Sequence, residues 1–137
     1  MPKVKATLTF DGGSLGNPGP AYGSYLLESK STSAPLNRLV RLTFGRGTNN
    51  EAEYWTLIAA VRAMTDALGD LGARPEDVEL TVRGDSQLVL RQVAGDWKTK
   101  DARMRQLCGE AQDLLGDYGR VSLRHQPRAK SVRRLGH

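Results

Sequence analysis

NEAEYWTLIAAVRAMTDALG, residues 50–69, is where the periodicity of the chain changes. Leu57, Ala60, Met64 and Leu68 recur every three or four residues, the spacing of one helix face, and Gly69 supplies a stop. Upstream the pattern has a period of two. In KVKATLTF (3–10), Val4, Ala6, Leu8 and Phe10 alternate with Lys5, Thr7 and Thr9. AYGSYLLE (21–28) and RLVRLTF (38–44) read as further strands, with turn-forming GGSLGNPGP and the loop SKSTSAPLN between them. The first third is therefore expected to be an antiparallel meander. Downstream, VELTVRG (78–84) returns to strand, SQLVLRQVAG (86–95) reads as a short helix and ARMRQLCGEAQDLLGD (102–117) as a longer one. VSLRH (121–125) is a last strand, and SVRRLGH (131–137) begins a last helical turn. Three strands followed by alternating helix and strand predict an α/β fold with a mixed sheet. The 137 residues suit one domain, 1–137, with no repeat or linker.

The charge balance narrows the partner. A net charge of +5 suits a polyanion, although it also serves solubility. Its placement says more: Arg120, Arg124, Arg128, Lys130, Arg133 and Arg134 crowd a tail with no acid after Asp117. No apolar run approaches the length of a membrane span, and the start, MPKVKATLTF, has no signal-type apolar segment. The lone Cys108 has no partner for an internal disulfide, so a cytoplasmic setting is expected. Sharing a helical phase with Met104, Ala111 and Leu115, Cys108 reads as a core residue.

Asp11 comes directly after the first predicted strand and Asp85 directly after the fourth. Strand ends are where α/β sheets place their ligands, so the two converge if the strands are neighbours. Taken singly, each also reads as a turn former or helix N-cap. Helical phase separates the two glutamates that follow GTNN. Glu51 lines up with Trp55, Ile58, Arg62 and Asp66, a face that ends in charge, and suits the positive end of the helix. Glu53 lines up with Leu57, Ala60, Met64 and Leu68. A carboxylate on that apolar face is costly without a partner, and a metal ion is one such partner. Three converging acids would repel one another unless cations were present. Hard oxygen donors without a cysteine cluster favour Mg²⁺ or Mn²⁺, the setting of phosphodiester hydrolysis by two ions about 3.5–4 Å apart. The glycine-rich GGSLGNPG lacks the GK[ST] of a P-loop and the helix of a dinucleotide fingerprint. It still offers backbone N–H groups and the Asn17 amide close to Asp11.

FDGGSLGNPGPAYG (10–23), GTNNEAEYWTLIAAV (47–61) and VRGDSQLVLRQVAGDWKTK (82–100) together resemble the three signature segments of type 1 ribonuclease H, in order and over nearly the whole chain. The resemblance implies the ribonuclease H-like fold, a five-stranded mixed sheet flanked by helices. It implies an endoribonuclease acting on the RNA strand of RNA/DNA hybrids; a monomer is the default expectation. One metal would activate water and a second would stabilise the leaving 3′-oxygen, giving 5′-phosphate and 3′-hydroxyl ends. Carried over by position, Asp11, Glu53 and Asp85 would be the catalytic, metal-binding carboxylates. Asn17, Asn50 and Gln87 would lie in the minor groove of the hybrid, and Thr48 would hold a DNA phosphate. Trp97, Lys98 and Lys100 stand where some members carry a basic insertion; they either grip substrate or, for Trp97, pack.

One departure stands out. The family places a fourth carboxylate on a helix after a segment resembling SLRHQPRAKS, and here Arg133 or a near neighbour falls at that point. The replacements open to the chain are the ring of His137 or of His125, the terminal carboxylate of His137, or three acids completed by substrate phosphate. Strand phase with Val121 and Leu123 points His125 toward packing. A non-catalytic hybrid or duplex binder is the competing reading.

Overall fold

The computed structural model describes residues 4–135. The chain runs β1 (Val4–Ser14), β2 (Gly19–Ser29), β3 (Leu36–Gly47), α1 (Asn49–Asp70), β4 (Val78–Gly84), α2 (Gln87–Ala94), α3 (Ala102–Leu115), β5 (Arg120–His125) and α4 (Arg128–Leu135). The five strands form one sheet in the order β3-β2-β1-β4-β5. The meander pairs antiparallel, and β4 and β5 add in parallel beyond β1. This is the mixed sheet with flanking helices that the sequence predicts.

The alternation in β1 and β4 explains the packing. Val4, Ala6, Leu8 and Phe10 on β1 and Val78, Leu80 and Val82 on β4 are all buried. Leu57, Ala60, Met64 and Leu68 of α1 lie with them in one core cluster, and α3 closes over α1 with Leu107, Cys108, Ala111 and Leu115. Cys108 is a core residue, its thiol donating to the Gln92 carbonyl at 3.4 Å. The opposite face of the sheet carries α4, whose Arg134 pairs with Glu28, a β2 residue in register with Thr7. No helix among the described residues is long and apolar enough to cross a membrane.

Two boundaries differ from expectation. β1 does not stop before Asp11. Its parallel ladder with β4 ends at Phe10–Gly84, but its antiparallel ladder with β2 continues through Asp11–Ser24 to Ser14–Ala21. The turn is thereby reduced to residues 15–18, and Asp11 sits inside a strand at the point where its β4 neighbour falls away. The last helix begins at Arg128 rather than near Ser131. Pro127 precedes it, a residue helices accept where no N–H is needed, and its carbonyl takes the first hydrogen bond, from Lys130.

Candidate active site

The parallel register of β1 and β4 places Asp11 and Asp85 one step past the paired Phe10 and Gly84, on neighbouring strands. Gly84 must lack a side chain, since a Cβ there would lie 2.7 Å from the Phe10 ring. Glu53 reaches the same region because α1 rests directly on β1. A Cβ on Gly12 would stand 2.6 Å from the Ala52 carbonyl oxygen and 2.8 Å from the Glu53 nitrogen. Ser86 caps α2, accepting from the Val89 N–H at 3.3 Å, and its hydroxyl also bonds the Glu53 carboxylate. Three helices begin around this cluster: α1, α2 directly after Asp85, and α4 at Arg128.

Electrostatics bind the acids into one unit. Asp11 is 6% exposed. Burial above all, and then the charge of Asp85, pushes its pKa up to about 6, with Arg128 pulling the other way. Glu53 is pushed up to about 7, again by burial first. The Ser86 hydrogen bond and Arg128 oppose the rise, while Asp85 and Asp11 add to it. Oε2 of Glu53 is buried with no hydrogen-bond partner. Arg128 Nη1 stands 3.7 Å from Asp85 Oδ2, and the Asp85 side chain is only 11% exposed. Among the described residues, no group of three or more His, Cys, Asp or Glu side chains is placed closely enough to hold a metal ion as it stands. The donor set nevertheless fits a hard divalent cation. All its donors are carboxylate oxygens, one of them is orphaned, and such ions keep waters and take oxygens from a phosphate.

Asn17, Thr48 and Asn50 come together around a surface cavity of about 570 Å³, with Asn49, Glu51, Asp101, Arg103 and Met104. Thr48 caps α1, and Glu51 closes the capping box: Thr48 Oγ1 accepts from the Glu51 N–H and Glu51 Oε1 from the Thr48 N–H, both at 3.1 Å. Glu51 thus has a structural task, the one its helical phase suggested. Glu51→Ala is expected to cost about 1 kcal/mol, read from urea denaturation. Asn49, which the sequence reading passed over, ties the site's two loops together. Its Oδ1 accepts from the Ser14 N–H at 2.8 Å, and its own N–H donates to Asn17 Oδ1 at 3.0 Å. Its only signal was its place beside Asn50 at a helix start.

Gln87 lies apart from those three, exposed in the first turn of α2 and beside a separate cavity shared with His125. His125 corrects an expectation: it is exposed, not packed, because β5 is an edge strand with a neighbour on one side only. Its Nε2 lies 3.2 Å from the backbone carbonyl oxygen of Asp85. His137 lies outside the described residues, as do the replacements that rested on its ring or terminal carboxylate. Trp97 is 44% exposed, lining a cavity with Lys98 and Arg105. Arg133 is exposed. The basic side chain facing the acids is Arg128 instead, because α4 begins about one turn earlier than its sequence suggests.

Comparisons with known proteins agree with this fold. A family profile described as reverse transcriptase-like matches residues 39–132. Ribonuclease HI of Halobacterium salinarum is 43% identical over 124 residues, which cover 90% of this chain. The chain spans 57% of the length of that relative. The crystal structure of RNase H1 from the same archaeon superposes with a TM-score of 0.79 at 38% identity, covering 94% of this chain and 90% of that one. LC11-RNase H1, solved in complex with an RNA/DNA hybrid, gives a TM-score of 0.80 at 28% identity, covering 93% of this chain and 89% of that one.

Proposed function

The chain belongs to the type 1 ribonuclease H family, and on that premise we propose that it hydrolyses the RNA strand of RNA/DNA hybrids, leaving 5′-phosphate and 3′-hydroxyl ends. One observation carries the proposal: Asp11, Asp85 and Glu53 meet at a strand end with the buried Glu53 Oε2 unpartnered. Nothing in the fold alone requires that costly arrangement.

Asp11, Glu53 and Asp85 would hold the divalent cation, Mg²⁺ or Mn²⁺. Such a cation, when bound, supplies positive charge to the phosphate and makes water acidic enough to serve as nucleophile near neutral pH. The remaining work belongs to the chain. Thr48 uses a lone pair to cap α1, which leaves its O–H to donate to a phosphate oxygen of the DNA strand. Asn17 accepts through Oδ1, which leaves its NH₂ donors for ribose oxygens. Asn50 and Gln87, both exposed, supply further amides in the minor groove. Amides suit this task because they donate and accept, as the 2′-hydroxyl does, and that hydroxyl separates RNA from DNA. The N–H groups at the start of α2 and α4 add backbone donors toward the phosphate.

Arg128 beside Asp85 favours one alternative, a hybrid binder with no hydrolytic activity. A single assay separates the two readings. A labelled hybrid incubated with Mg²⁺ or Mn²⁺ is expected to be cut in its RNA strand, and Asp11→Asn to lose the cut. Cleavage surviving in Asp11→Asn would overturn the catalytic assignment. Tight binding of the hybrid without cleavage in either ion would establish the binder.

A further inference from the structure

Arg128 stands at a particular spot. The N–H of Gln126 donates to the Gly84 carbonyl at 2.9 Å, fixing the chain to the end of β4. The buried Gln126 amide then donates to Ser131 Oγ at 3.0 Å, locking the first turn of α4. The Arg128 backbone is therefore anchored beside Asp85, while its side chain is 72% exposed and can turn. The guanidinium lies 3.7 Å from Asp85 Oδ2, and its charge reaches Asp11 and Glu53 as well. Three carboxylates carry up to three negative charges. One divalent cation offsets two of them, and Arg128 offsets the third. A second cation on this side of Asp85 would stand against a guanidinium.

We propose that Arg128 takes the place of a second cation: it neutralises Asp85 before substrate arrives and then turns to the scissile phosphate, so that the site works with one divalent ion. The role on the phosphate rests on the hydrolase reading; the number of ions does not. A guanidinium suits the exchange, since its planar fork pairs with carboxylate and phosphate alike.

Mn²⁺ titration of the intact chain, followed by electron paramagnetic resonance and calorimetry, is the test. Wild type is expected to bind one equivalent. Arg128→Ala, an exposed change that leaves the melting temperature nearly in place, is expected to bind Mn²⁺ about tenfold more tightly because a competing charge is gone. Its kcat on hybrid at saturating Mn²⁺ is expected to fall at least tenfold, with Arg128→Lys recovering part of the loss. Two equivalents in wild type, or an Mn²⁺ affinity unchanged in Arg128→Ala, would overturn the inference. One equivalent and the tenfold tightening, with no cleavage by any variant, would instead overturn the hydrolase reading and leave the ion count standing.

Discussion

Glu53→Gln is expected to abolish hydrolysis and, at the same time, to make the cation-free protein more stable. The two effects share one cause. Burial raises the Glu53 pKa from 4.5 to about 7, so the folded chain holds this proton more tightly than the unfolded chain does. Below pH 4.5 the group is protonated in both states and costs nothing. As pH rises from 4.5 through about 7 that stability is lost, and above 7 the full penalty of a buried, crowded carboxylate remains. Discounted for partial exposure, the penalty is on the order of 2 kcal/mol. Glutamine removes it, so melts in chelator at pH 8 should show the variant about 5 °C or more above wild type. The gap should close toward pH 5. Hydrolysis should fall by more than about 100-fold, beyond the loss seen when a mere supporting residue of a metal site is removed. A variant that melts with or below wild type at pH 8 would mean that the Glu53 charge is satisfied without a cation.

Gly12→Ala should do the opposite to stability and the same to activity. The new Cβ would meet the Ala52 carbonyl oxygen at 2.6 Å and the Glu53 nitrogen at 2.8 Å. Both are backbone atoms and have no rotamer to escape into, so strand or helix must shift. Overpacking of this kind costs about 1–3 kcal/mol. The shift also moves Glu53 relative to Asp11, and a misplacement of about 1 Å in such a site costs on the order of 100-fold in rate. Gly45→Ala is the control. A Cβ there has nothing within 4 Å, and stability should change by no more than about 0.5 kcal/mol. Equal behaviour of the two variants in urea denaturation and hybrid cleavage would remove the close approach of α1 as the device that sets the site.

The strands and the long helix were legible because their side chains alternate or recur. Phase alone also separated Glu51 from Glu53, and the capping box accounts for Glu51 in the way phase suggested. The rest failed for stateable reasons. β1 and β2 continue pairing through Gly12, Gly13 and Gly23. Glycines have no side chains to alternate, so a ladder built from them is silent in the sequence. For His125, phase gave the side of the sheet, but burial depends on a neighbouring strand that β5 lacks on one edge. Arg128 was lost among six basic residues. Which one faces the acids depends on where α4 begins, and three residues of error turn a helix by most of a full turn.

The convergence of α1, α2 and α4 has a consequence for how such sites drift over generations. The positive ends of helices are made of main chain, so no point mutation deletes them and no change of pH discharges them. An anion held partly by peptide dipoles is insured against the loss of any one side chain that would otherwise recruit a cation for it. A lineage with this arrangement can shed a peripheral acid and remain under selection for the chemistry of those that are left.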